Sequence, residues 1–476
     1  MSRKHYQFYC AGEWRESSNA LDVTNPHDGS VVGTTSFATD RDLEDAITAA
    51  ECAFQQMRVM PSYERASALS KLAGMLDQRQ EEVATLIAKE SGKPLRDARV
   101  EAMRGVFTIQ VAAEEAKRIG GEMIPLDLLP TSKGRYGITK KVPIGPIAGI
   151  SPFNFPLNLA LHKLAPAIAS GNPIVLKPPT HDPLTMLTVA EMVDEVGLPK
   201  GAVSIMPMDR SVGDRLVTDD RFKLLSFTGS PDVGWDMKAR AGKKKVVLEL
   251  GGNAGVAIDE SADVDNAVAR VRAGAFAYSG QVCISVQRVY VHQRRYDEFC
   301  TKLVAAVGTI KSGDPLDPDT ELGPMIDERA ASRVHNWVDA AVSEGARVLT
   351  GGAAQGRFYE PTVIVDADPA SFVCSREAFA PIVTVFPVPD WKTALAKIND
   401  SVFGLQAGVF TASLEHALLA FESLEVGGVI INDIPVYRID HMPYGGVKDS
   451  GLSREGLRYA IEDMTETRLM VLSRPD

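Results

Sequence analysis

The sequence predicts an α/β protein made of two open α/β domains and a small β arm for oligomerisation, and three observations lead there. Short apolar runs of strand character alternate with helical stretches from about residue 144 to 250. That rhythm lays strands side by side in parallel and puts ligands at their carboxyl ends. It starts again after Glu249, which marks a second α/β unit. An alternation of polar and apolar residues at 123–142 and an extended apolar tail at 462–472 belong to neither series.

In chain order, residues 40–54 repeat Ala and Leu or Ile at helical spacing, with Thr39 or Asp40 to cap the start. A second helix runs from about Ser62, carries Leu69, Leu72, Leu76, Val83 and Ile87 on one stripe, and stops near Gly92 and Pro94. A third spans 95–119 and ends at Gly120 and Gly121. The 123–142 stretch turns about Gly134 as a hairpin arm, and 144–151 reads as a buried strand. Strands are expected at 173–177, 202–206, 224–228 and 246–250, with helices at 158–169, 184–196 and 211–218. The second series has helices at 264–277, 296–307 and 328–344, a strand at 288–291, and short β segments through 383–386 and 429–432. The tail is expected to pair with the hairpin arm of its own chain or of another subunit. One domain then takes 1–122 and 144–248, the other 249–460, and the arm 123–143 with 461–476.

At roughly 100–200 residues per domain, 476 residues suggest about three units, and a 45% hydrophobic share is ample for their cores. Lys and Arg total 51 against 62 Asp and Glu, and the net charge of −11 repels phosphate backbones and anionic lipid. Nucleic acid and membrane are poor partners. Arg3, Lys4 and His5 have no apolar stretch behind them, and no run of about 20 apolar residues occurs anywhere, so neither secretion nor anchoring is signalled. Cys10, Cys52, Cys283, Cys300 and Cys374 are scattered and odd in number, without the close pairs of a zinc site or disulfide scaffold. No metal and a cytoplasmic setting are expected.

Three residues carry candidate chemistry. Cys283, in YSGQVCISVQ, sits between a turn-compatible stretch and a strand, where free backbone N–H groups would stabilise a thiolate or an oxyanion; read locally and without partners, it is first a small buried hydrophobe. Glu249, in VVLELGGN, interrupts an apolar strand just before Gly251 and Gly252. Desolvated there, it would accept a proton near neutrality; exposed, it would be a plain strand-end glutamate. Asn154 is held between Pro152 and Pro156, which suits an oxyanion-binding amide as well as a loop asparagine. For a phosphate, Gly229 and Gly234 come after a strand at a helix start with Ser230 as a possible cap, and Lys177 stands at a strand end. The complete Gly-x-Gly-x-x-Gly fingerprint is missing.

Together the runs SPFNFP, VLKPPT, FTGS, LELGGN, GQVC, REAFAP and MPYGGVKDSG, in that order over nearly the whole chain, resemble the aldehyde dehydrogenase superfamily. The resemblance implies a Rossmann-like dinucleotide-binding domain over 1–122 and 144–248, a catalytic domain over 249–460, and NAD or NADP as cofactor. It makes Cys283 the nucleophile, Glu249 the general base and Asn154 the oxyanion amide. It assigns Ser151, Phe153, Lys177, Thr180, Gly229, Ser230, Glu377 and Phe379 to the cofactor. The implied reaction passes through a thiohemiacetal and a thioester on Cys283, and Glu249, which activates the hydrolytic water, favours a free acid over a coenzyme A ester.

The chain also departs from the family pattern. Thr180 replaces a glutamate common in NAD-preferring relatives, so no carboxylate repels a 2′-phosphate and NADP is allowed. Arg376-Glu377-Ala378-Phe379-Ala380-Pro381 keeps the Glu and Phe but changes the turn, and 206–209 lacks a glycine-rich turn. The tract after Asn154 and the closing HMPYGGVKDSG look most like the lactaldehyde, glycolaldehyde and phosphonoacetaldehyde branch, which favours small polar aldehydes. Arg104, His162 and Arg438 are expected to line the mouth and hold an anionic or hydroxylated tail. Val282 stands where phosphate-handling relatives tend to carry arginine, which leaves sulfonate, carboxylate or hydroxyl tails as equal choices. A homodimer or homotetramer is expected. Two rivals stay open: thioester or ester hydrolysis by Cys283 and Glu249 without redox, and an idle binding protein on the same scaffold.

Overall fold

The computed structural model describes residues 4–473. Its first sheet has eight strands in the order Glu13–Arg15, Phe8–Cys10, Val203–Ile205, Ile174–Lys177, Ile147–Ile150, Leu224–Thr228, Lys245–Glu249 and Gly451–Leu452. The five inner strands are parallel, and the flanking ones join antiparallel. Ile147–Ile150 and its inner neighbours are almost wholly buried, which is why they read as continuous apolar runs without alternation. Strand order runs outward from Ile147–Ile150 to Val203–Ile205, then reverses to Leu224–Thr228 on the other side. The reversal opens a crevice at the carboxyl ends, where doubly wound sheets bind ligands.

The second sheet has seven strands, in the order Arg347–Thr350, Thr362–Val365, Ile382–Val388, Val286–His292, Ala254–Ile258, Gln406–Phe410 and Gly428–Ile431, parallel except for the first. The arm is a third sheet in which Thr465–Ser473 pairs antiparallel with Arg135–Pro143 of the same chain, and Met123–Pro125 lies on the far side. The tail therefore finds the hairpin arm within its own subunit. Residues 474–476 of the expected arm and 1–3 of the expected first domain lie outside the described residues.

Helix Asn158–Ser170 sits deepest. All of its side chains are buried, including His162 and Lys163, and it tolerates Pro166 inside. An all-round buried helix needs partners for every polar group it carries, and those partners gather behind the crevice. Thr39 caps helix Asp40–Met57 with a reciprocal box to Asp42.

Two expectations are corrected. The single helix from Ser62 to Gly92 is two, Ser62–Gln78 and Gln80–Ser91, broken at Arg79, whose backbone (φ −109, ψ 16) leaves the helical region. Its guanidinium is tied to Glu82 and to Glu191 of another helix, which holds the break. The expected span 249–460 also fails at its end. Gly451–Leu452 adds an edge to the first sheet beside Lys245–Glu249, and Leu457, Ile461 and Met464 pack into the first core.

Candidate active site

The crevice at the carboxyl ends of the first sheet faces the second sheet across a cleft of about 550 Å3. Each wall comes from a strand end: Ser151, Phe153 and Asn154 come after Ile147–Ile150, Lys177 ends its strand, Gly229 and Ser230 come after Leu224–Thr228, and Glu249 ends Lys245–Glu249. Thr180, Cys283, Glu377 and Phe379 complete the lining among the sequence-derived candidates. Residues 154, 249 and 283 thus meet in one space.

Cys283 lies between a distorted turn and strand Val286–His292. Tyr278, Ser279 and Gly280 all have left-handed backbone (φ 46, 54 and 68), a costly run for two non-glycine residues. Long-range bonds hold it: the Tyr278 hydroxyl donates to Ser91 O at 2.8 Å and the Ser279 hydroxyl to Gly323 O at 2.6 Å. Only glycine fits at 280, where a Cβ would collide with the Ala380 carbonyl. The Cys283 sulfur lies 2.9 Å from the Tyr444 hydroxyl. Burial pushes the thiol up to about 12; the Tyr444 bond opposes the rise and Glu377 and Glu249 add to it. Asn154 donates one amide N–H to Gln281 O at 3.0 Å, which fixes its plane and leaves its second N–H uncommitted among the described residues.

Glu249 is buried, and neither carboxylate oxygen finds a partner among the described residues. Burial, reinforced by the Glu455 carboxylate, holds its acid form well above the usual carboxylate range, against the pull of Arg438, Lys163 and Arg454. Gly445 makes room for it: a Cβ there would stand 2.8 Å from Glu249 Oε1. A desolvated, unbonded carboxyl beside a thiol is suited to moving protons.

The other half of the cleft fits a dinucleotide. Helix Pro231–Arg240 begins at Ser230, whose side chain makes no cap bond, so the helix end is left for a ligand. The Lys177 ammonium makes only a 3.5 Å contact with Pro178 O, and burial draws its pKa down to about 8. Thr180 is exposed at the rim. The Gly252 N–H donates to Glu377 Oε1 at 3.0 Å, and a Cβ at Gly251 would collide with the same carboxylate, so glycine at 251 lets Glu377 lie against that turn, while a Cβ at Gly252 would meet the Cys283 carbonyl. Burial raises Glu377 to about 7. Phe379 (φ 49) turns its ring edge-to-face onto Phe153, centroids 5.8 Å apart.

Behind Cys283 runs a buried charge network. Arg104 forks onto Asp440 at 2.7 and 3.1 Å; Asp440 also accepts from Asn158 at 2.9 Å and stands 2.9 Å from His162 Nε2. Arg438 donates to Glu455 at 3.0 Å and stacks 3.7 Å from the centre of the Tyr444 ring; Glu455 also accepts from Lys163 at 3.2 Å. Of the three residues expected to line the mouth, Arg104 alone is partly open to solvent. His162 is fully enclosed, and that expectation is corrected: a histidine on an all-round buried helix is consumed by Asp440. Arg438 also lies inside rather than at the rim, paired with Glu455, although its Nε has no partner among the described residues.

The sequence matches the aldehyde dehydrogenase family over residues 14–470. The chain belongs to the aldehyde dehydrogenase family. It is 43% identical to the 3-sulfolactaldehyde dehydrogenase of Priestia aryabhattai over 99% of this chain and 98% of that protein. Aldehyde dehydrogenase 21 from Physcomitrella patens, solved in complex with the reaction product succinate, superposes with a TM-score of 0.98 at 48% identity over 99% of each chain. The glyceraldehyde-3-phosphate dehydrogenase GapN of Methanocaldococcus jannaschii, solved with NADP, superposes with a TM-score of 0.92 at 35% identity over 97% of this chain and 100% of that one.

Sequence reading of this aldehyde dehydrogenase missed Tyr444, Arg333 and Glu455. Tyr444 lies inside a quoted motif, yet its hydroxyl gave no signal until it stood against the sulfur. Arg333 lines the cleft, donates to Ala378 O at 2.9 Å and pulls Glu377 back toward its charged form. Glu455, in SREGL, sits so deep that only its two buried cations reveal it.

Proposed function

We propose that the enzyme oxidises a short aldehyde with an anionic or hydroxylated tail to the free carboxylic acid, using NAD or NADP. The observation that carries this reading is the meeting of Cys283, Glu249 and Asn154 in the same cleft as the dinucleotide cradle. Glu249 takes the thiol proton and Cys283 attacks the carbonyl carbon. The resulting oxyanion is held by the Asn154 amide and the Cys283 backbone N–H. A dinucleotide held in this cleft would supply the hydride acceptor: Glu377 and Phe379 would position its nicotinamide ribose and ring, and Ser151, Phe153, Lys177, Thr180, Gly229 and Ser230 would hold the rest. Glu249 passes the thiol proton to solvent and, again a carboxylate, deprotonates the water that releases the acid from Cys283.

The tail assignment rests on charge. The network behind Cys283 carries Arg104, Lys163 and Arg438 against Asp440 and Glu455, one cation in excess while Glu249 and His162 are neutral. A relative at 43% identity is named for a sulfonated aldehyde, and a solved relative holds a dicarboxylate product. Both support an anionic group beside Arg104 and the free Nε of Arg438, with His162 acting through Asp440. The test is a panel of sulfonated, carboxylated, hydroxylated and plain short aldehydes with each dinucleotide. The anionic members should show the highest kcat/KM; turnover of uncharged apolar aldehydes alone, or full activity in Cys283→Ala, would overturn the reading.

We infer a homodimer or homotetramer: the arm strands expose Tyr136, Ile138, Met470 and Leu472, an apolar face suited to a second copy. Five free cysteines fit a reducing cytoplasm. No helix among the described residues is long and apolar enough to cross a membrane.

A further inference from the structure

At the base of the arm, Arg58, Arg65, Lys140, Lys141 and Arg468 line a cleft of about 440 Å3, within the usual size range of small-molecule sites. No carboxylate lines it, and it shares no residue with the catalytic cleft. In a chain with more acids than bases, five cations facing one space without a counter-charge are unexpected. Nearby Arg118, Lys245 and Arg458 are each paired, with Glu115, Glu466 and Glu462. None of the five forms an ion pair among the described residues. Glu115, Glu122 and Glu462 border an adjacent hollow that shares Ile119, Lys141 and Thr465 with this cleft.

Arg65 is the decisive member. It is only 8% exposed, and its guanidinium donates to neutral acceptors alone, Met60 O at 2.8 Å and Ser62 Oγ at 3.2 Å, while Nε has no partner. Burial disfavours its charge with no acid to offset the loss. The 17-residue helix Ser62–Gln78 begins at the same place, with Pro61 as an N-cap that supplies no side-chain acceptor, so the positive end of its dipole also faces the space.

We propose that this cleft is a second anion site, built for a ligand with several negatively charged oxygens such as a diphosphate or phosphate ester. Those oxygens belong to a free phosphorylated small molecule. The ligand supplies the counter-charge that Arg65 lacks and bridges the arm to the first domain.

The experiment uses enzyme saturated with NADP, so that the dinucleotide cradle is blocked, titrated with pyrophosphate by calorimetry at constant ionic strength. A Lys140→Gln/Arg468→Gln double variant is compared; both side chains are outside the catalytic cleft. Saturable binding weakened about tenfold or more in the variant, with activity kept, supports the free ligand. Equal binding by parent and variant, heat matched by potassium sulfate, or no binding overturns the proposal.

Discussion

The Tyr444 hydroxyl offers the sharpest test of the reaction centre. Tyr444→Phe keeps the ring beneath Arg438 at 3.7 Å and removes only the bond to Cys283 sulfur at 2.9 Å. Burial and the neighbouring thiol hold the phenol well above its ordinary pKa, so it keeps its proton and donates to the thiolate once that forms. A hydrogen bond to a charged group contributes about 1.5–3 kcal/mol, which at 1.36 kcal/mol per unit is about one to two pH units. The ionisable groups around the sulfur, Glu377, Glu249 and Arg438, stay in place. The rate of Cys283 alkylation by iodoacetamide in cofactor-free enzyme, measured against pH, should therefore shift upward by that amount. At a fixed pH below the inflection, alkylation should slow by roughly ten- to a hundredfold. An unchanged profile, with the melting temperature preserved, would refute the assignment of the phenol as thiolate donor.

The same geometry sets expected outcomes at three other positions. Glu249→Gln should cut steady-state turnover by about 10²–10⁴, with the first burst of reduced nicotinamide in rapid-quench kinetics slowed as well, because Glu249 acts both before and after hydride transfer. Because the Glu249 acid form is held up, its base form appears only as pH rises through that raised pKa, so the acid limb of kcat should lie above the ordinary carboxylate range. Gly251→Ala should displace Glu377 and raise the cofactor KM by about tenfold or more while leaving the Cys283 alkylation rate alone. Thr180→Glu should weaken NADP relative to NAD by roughly tenfold or more, read as the ratio of kcat/KM values.

The catalytic and dinucleotide candidates were legible because a parallel sheet gathers at one edge the residues that end its strands or begin the loops beyond them. Asn154, Lys177, Ser230 and Glu249 each come just after or at a strand end, so strand assignment alone predicts that they meet. Partners far apart in sequence were not legible. His162 looked like a mouth residue until Asp440, 278 positions on, claimed it. Arg438 gave no sign of Glu455 or of the Tyr444 ring, and a break such as that at Arg79 leaves the apolar stripe intact on both sides. Gly451–Leu452 is too short to show any periodicity, so its return to the first sheet could not be read from local pattern.

That return bears on how the polypeptide is made. The strand ending in Glu249 gains its outer neighbour only when Gly451 and Leu452 leave the ribosome, some two hundred positions later. Leu457, Ile461 and Met464 then seal the amino-terminal half from behind. The first sheet and its core therefore cannot be completed until that segment is made, and a nascent product stalled before that closure would expose the strand that ends in Glu249.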